Sequence, residues 1–198
     1  MSKISEKQNN KRINILDAAY ELFISKSFSS TSIDDIVRKA GIAKGTFYLY
    51  YKDKYDVMDR IVAHKTLAVL SDALNSLEEF KAASEAQISF PAQVLFVVNR
   101  MVDYMQAHKE LLTLIDKKLS KCFSAYFSLG DSELKTRMNE LVTLDSESGR
   151  RKDETVKKLY LIVDLVGSVC CDAVLYESPF KLSEIKPVLF SAVEKILA

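Results

Sequence analysis

Residues 32–54 read SIDDIVRKAGIAKGTFYLYYKDK, from Ser32 to Lys54. Ile33, Ile36, Val37 and Ala40 recur at helical spacing and predict a short helix with one apolar face. Thr31 and Ser32 stand where a capping hydroxyl belongs, and Asp34 and Asp35 follow in the first turn, where the helix dipole favours negative charge. Gly41 then permits the left-handed residue that ends the helix. A second helix starts near Ala43. Phe47 and Tyr51, one turn apart, point inward with Ile42, and Lys44, Tyr48 and Lys52 share another face beside Gly45, Thr46 and Leu49. From Ile36 to Lys54 there are five basic residues (Arg38, Lys39, Lys44, Lys52, Lys54) and one acid, Asp53. Two helices joined at a glycine, the second with cations, hydroxyls and a small residue outward, form a helix-turn-helix suited to a DNA major groove.

Upstream, a helix is expected from about Lys11 to Ser25, with Ile13, Leu16, Tyr20 and Phe23 inward and Ala18, Ala19 and Leu22 widening that face. Phe28, in the polar turn SKSFSS, is expected to plug the core.

The same residues carry a family resemblance. ILDAAYELF (15–23), Thr31-Ser32, Ile36 and the run AGIAKGTFYLYYKDK (40–54) resemble the TetR family of transcriptional regulators, whose pattern is close to AA-x-x-LF, TS-x-x-x-IA, AGVSKGTFY-x-YF-x-x-K. Three positions depart from it: Ser27 replaces a glycine before the TS pair, Val37 an alanine, and Tyr55 a glutamate. The resemblance implies that Thr31, Ser32, Lys44, Gly45, Thr46, Tyr48, Tyr50 and Lys54 form a DNA-contact set, largely through phosphates. Lys44, Thr46 and Leu49 are the candidates for base edges, and Tyr51 is expected in the core. Lys54→Ala is then expected to weaken all DNA binding and flatten its salt dependence with the fold intact.

Bulk properties agree with an all-α protein. The chain has 198 residues, with 48% hydrophobic and 28% charged, and its five glycines and three prolines are few for a sheet connected by tight turns. The net charge is +1 but uneven: residues 1–60 carry 11 Lys/Arg and 8 Asp/Glu, and residues 61–198 carry 17 and 19. No signal-peptide pattern opens the chain, Asp164 and Asp172 interrupt its most apolar run, and three cysteines lack CxxC spacing. A cytoplasmic protein without membrane span, metal or cofactor is expected.

The expected architecture is an N-terminal three-helix helix-turn-helix head, residues 1–54, followed by a helical ligand-binding and dimerisation bundle, residues 55–198, in about nine helices. The fourth helix, about Tyr55 to Phe80, carries Leu67, Leu70, Leu74 and Leu77 and is the natural lever between the two. Further helices are expected at about 90–107, opened by Phe90-Pro91, then 109–127, 132–144, 154–176 and 183–197.

The helix over 154–176 is apolar nearly all round, with Asp164, Ser168 and Asp172 as a thin polar stripe, so it needs cover on almost every side. Self-association supplies that cover, and the resemblance implies a four-helix dimer interface. Leu159, Val163, Val166, Gly167, Cys170 and Val174 on this helix, with Leu189, Val193 and Ile196 on the last, are the expected interface. The alternative is a central helix within one chain.

A pocket for a small hydrophobic or amphipathic effector is expected among Phe96, Met101, Tyr104, Met105, Cys122, Phe123 and Tyr126, where soft and aromatic side chains concentrate. His64 and His108 lack the Glu-x-x-His spacing of a di-iron bundle, and no phosphate loop, GxSxG or HExxH occurs. A catalytic role is therefore not expected. The reading is a homodimeric, ligand-responsive repressor on a pseudo-palindromic DNA operator. Its rivals are a helical protein–protein adaptor without DNA binding and a cofactor-dependent helical enzyme.

Overall fold

A computed structural model describes residues 3–84, 86–115, 133–146 and 151–198. Among these residues there are nine helices and no strand: α1 Lys3–Lys26, α2 Ile33–Ala40, α3 Lys44–Tyr48, α4 Lys54–Ala83, α5 Phe90–Ala107, α6 Lys109–Ile115, α7 Glu133–Ser146, α8 Lys152–Leu175 and α9 Leu182–Leu197. Two compact units result, Met1–Lys65 and Thr66–Ala198, and α4 contributes residues to both. None of the described helices is long and apolar enough to cross a membrane.

In the first unit, α2 packs on α1 and α3. The inner face of α1 is rotated from the expected one. Ile15, Ala18, Ala19, Leu22 and Phe23 are buried while Ile13 is exposed, because the three-and-four spacing from Ile15 puts the small alanines where α2 must approach. Ile36, Phe47, Tyr51, Val57, Met58, Ile61 and Val62 complete that core. Phe28 is half-buried, its ring 5.0 Å from both Phe23 and Tyr55 in edge-on contact, so the expected plug is an aromatic trio.

In the second unit α8 is the central helix, touching α5, α6, α7 and α9, and α9 also packs on α5. The Thr155 hydroxyl of α8 donates to the Asp145 carboxylate of α7, and both side chains are buried. Arg137 of α7 donates to the Asn75 carbonyl of α4 at 2.7 Å. The expected helix ends hold within a few residues, except that α1 starts at Lys3, well before the expected Lys11, and the 109–127 helix is described only to Ile115.

Candidate nucleic-acid interface and effector cavity

The helix-turn-helix is built from local chemistry. Ser32 is the N-cap of α2 in extended conformation. Its Oγ accepts from the Asp35 backbone N–H at 3.1 Å, and the Asp35 carboxylate accepts from the Ser32 backbone N–H at 3.1 Å, a reciprocal capping box. The hydrogen bond from the Ser32 hydroxyl holds the Asp35 carboxyl below its ordinary pKa, and Lys26 and Arg38 add to this. At the other end Gly41 sits at φ 66° and donates to the carbonyls of Arg38 and Val37. A side chain would strain that conformation, which explains the glycine.

The α3 helix has five residues, Lys44–Tyr48, capped by Ala43 without a side-chain hydrogen bond. The chain stays coiled beyond it, since the Tyr50 and Tyr51 N–H groups both donate to the Phe47 carbonyl at 3.0 Å. This continuation delivers Tyr51 to the core, where its hydroxyl donates to the Arg12 carbonyl at 3.2 Å and burial pushes its phenol pKa up. With Phe47 and Tyr51 inward, Lys44, Gly45, Tyr48 (53% exposed) and Leu49 (80% exposed) face solvent, and Thr46 and Tyr50 are half-buried.

Gly45 is informative because nothing in the fold requires it. Its φ lies outside the left-handed region, and a Cβ built there meets no atom within 4 Å. A glycine that costs helix stability and answers no internal contact fits close approach by something outside the chain.

Three cations behave in ways the spacing did not reveal. The Lys44 ammonium pairs with Asp34 of α2 at 2.9 Å, and the hydrogen bond it donates to that carboxylate raises its pKa. The Lys54 ammonium donates to the carbonyls of Phe28, Thr31 and Ser29 at 2.9, 3.0 and 3.4 Å and lies 4.6 Å from the centroid of the Phe28 ring. Its three protons are spent on the α1–α2 turn, so the geometry favours a staple over the expected phosphate contact. Arg38, on α2, presents an exposed guanidinium 4.0 Å from the Asp35 carboxylate.

Thr31 also changes role. Its side chain is buried and its hydroxyl donates to the Ser27 carbonyl at 2.7 Å and the Leu22 carbonyl at 3.3 Å. It fastens the turn and offers no side-chain surface to a nucleic acid. Ser27, the departure from the family glycine, sits at φ 74°, a conformation that costs a side-chain-bearing residue energy.

In the second unit two apolar cavities of about 60 and about 80 Å³ lie among α4, α5 and α8, with α6 closing the first and α7 the second. They share Thr66, Val98, Met101 and Val163 as walls. Of the residues expected to form a pocket, Met101, Tyr104 and Met105 line the first cavity. Phe96 lines neither. It stacks on Phe80 with ring centroids 4.8 Å apart. Cys122, Phe123 and Tyr126 lie outside the described residues. Leu67 and Leu70, two of the spaced leucines of α4, are cavity wall.

The expected dimer seam is largely used within the chain. Leu159, Val166, Gly167, Cys170, Val174, Leu189 and Val193 are buried without any partner, and Val163 and Ile196 are half-buried. Burial pushes the Cys170 thiol up to about 11. The correction follows from packing: α8 is surrounded by four helices of its own unit, which supply the cover its composition demands. What remains outward on the last two helices includes Tyr160, Leu161 (56% exposed) and Val188 (63% exposed).

Residues 15–61, the helix-turn-helix and the start of α4, match the family described as bacterial regulatory proteins, tetR family. Over that stretch the chain is similar to the TetR family. It is 30% identical over 118 residues to the uncharacterized HTH-type transcriptional regulator YvdT of Bacillus subtilis, covering 57% of each protein. The match thus spans 57% of that relative and 30% of the HTH-type transcriptional regulator SrpR of Pseudomonas putida. Among solved structures, it resembles a TetR family transcription regulator from Marinobacter aquaeolei, with a TM-score of 0.54 and 17% identity over 97% of each chain. It also resembles the transcriptional regulator FadR from Bacillus subtilis in complex with stearoyl-CoA, with a TM-score of 0.54 and 16% identity over 91% of this chain and 96% of that one. At these identities the structural likeness shows a shared all-α fold.

Proposed function

We propose that this chain is a TetR-type, sequence-specific DNA-binding transcriptional regulator, a cytoplasmic homodimer that represses from a pseudo-palindromic operator and is released by an effector. The observation that carries the reading is the surface of α3: Phe47 and Tyr51 are buried while Lys44, Gly45, Tyr48 and Leu49 are presented outward, with a glycine the fold does not need. Lys44, Thr46 and Leu49 read base edges, and Tyr48, Tyr50, Lys52 and Arg38 serve phosphates. Relatives that carry the HTH-type regulator name support the same reading.

For the effector, the support is the pair of apolar cavities and the participation of α4. Thr66 lines both and Leu67 the second, while Lys54, the first residue of the same helix, holds the turn before α2. A bound effector favours the α4 arrangement that suits it, and the DNA-bound form loses population in proportion to the difference in affinity. FadR from Bacillus subtilis, with its stearoyl-CoA, is a precedent in that protein for a ligand in this fold.

Selection of bound duplexes from a random pool, followed by affinity measurements across a salt series, tests the DNA reading. A recovered inverted repeat and a steep fall of affinity with salt are expected. Salt-independent or absent DNA binding would return the chain to the adaptor reading.

A further inference from the structure

The two cavities differ from a compact drug pocket in shape. Each, at about 60 and about 80 Å³, is smaller than the roughly 150 Å³ cavity that takes a benzene ring. They share Val98 and Met101 of α5 as walls, and their lining along this helix and its cap runs from Val94 at one end to His108 at the other. At about 1.5 Å per residue that stripe is roughly 20 Å long. The volume is therefore drawn out along one helix. A fused-ring compound would have to displace several walls at once, whereas a thin chain needs little more than a rotamer change at Met101, whose unbranched thioether is the softest of the shared walls.

Exposure at one end gives the slot a direction. The Val94 end is hydrocarbon, closed by Met138 and Leu141 of α7. At the other end the rings of Tyr104 and His108 lie 4.1 Å apart, and His108 Nδ1 is 3.3 Å from the Glu110 carboxylate with the imidazole partly in solvent. Both cavities are lined by hydrocarbon, and this end, with its partly exposed imidazole, opens towards water, where a headgroup keeps its hydration.

We infer that this site takes a single straight hydrocarbon chain, its tail running along α5 towards Met138 and its polar head at the Tyr104–His108 mouth. The inference rests on the reading of the second unit as an effector domain. The shared chemistry is the unbranched tail, and its source as an alcohol, a carboxylate or an amine is separated by the arms of the test.

Binding of n-alkanols, n-alkanoates and n-alkylamines of rising length to the full chain is measured by calorimetry, beside a rigid polycyclic hydrocarbon alcohol of equal carbon number. Affinity is expected to rise about four-fold per added methylene and then level off once the tail fills the slot. The head series that binds tightest identifies the source. In Val163→Phe, which narrows the shared wall, the gain from long tails is expected to vanish while short tails still bind. A thermal melt checks that this variant folds, and the levelling-off in the unaltered protein is a readout independent of it. A flat length series, no binding by any straight chain, or tighter binding of the polycyclic compound overturns the inference. If the polycyclic compound binds and releases DNA, the effector reading survives without the straight chain. If no compound that binds changes DNA affinity, the effector reading itself fails.

Discussion

Single residues separate reading DNA from holding the head together. Gly45→Ala is expected to leave the melting temperature unchanged or raised, since alanine favours a helix over glycine by about 0.5–1 kcal/mol and the added methyl meets nothing. Operator affinity in the same variant should fall at least ten-fold, measured by titration of a labelled duplex. Equal affinity would mean that no partner approaches that backbone. Lys54→Ala should do the opposite of what its place in the motif implies. Removing an ammonium that serves three carbonyls is expected to cost about 1–2 kcal/mol of stability by thermal or denaturant melt. The salt slope of DNA binding should stay as it was, because no phosphate contact is lost. Ser27→Gly relieves a left-handed conformation and should stabilise the fold by about 1 kcal/mol, less whatever the Ser27 hydroxyl contributes through its contacts with Ser30.

Elements were legible in the sequence wherever their signals were local. The capping box of α2, the left-handed Gly41 and the proline-opened start of α5 all follow from side chains within four residues of the backbone they serve, and each stands where the sequence put it. Ser32→Ala should therefore cost about 1 kcal/mol. The Asp35 half of the box adds a pH signature. Its folded-state pKa is lowered, so its contribution is present above the unfolded carboxyl value of about 4 and is lost as pH falls through the folded value. An acid melt of Asp35→Asn should show a flatter pH dependence over that window. Illegible were the pairings across sequence distance. Asp34 with Lys44 and Lys54 with Phe28, Ser29 and Thr31 join residues that no spacing rule connects. The α1 face was misjudged because apolar residues nearly surround it, and the contact with α2 selects the alanine side. The α8 seam was assigned to a partner for a related reason: composition states that a helix must be covered and cannot state by what.

At the scale of the whole molecule, that distinction yields a test of assembly. If residues such as Leu189 formed the interface between copies, their truncation would dissociate a dimer. Buried as it is within the chain, Leu189→Ala should instead lower stability by about 2–5 kcal/mol, with the oligomeric state of the folded fraction unchanged. The exposed apolar residues of α8 and α9 predict the converse. Leu161→Glu combined with Val188→Glu places charges where two copies would meet, and costs the isolated fold little because both side chains already face water. Light scattering across a dilution series should show the double variant as a monomer with its melting transition retained. Its affinity for a duplex bearing a single half-site should match that of the unaltered chain, while its advantage on a two-half-site operator disappears, because that advantage is the effective concentration supplied by the second head. A dimeric double variant would place the interface elsewhere. A monomer that still prefers the paired operator would mean that the two heads communicate through the DNA and not through α8 and α9.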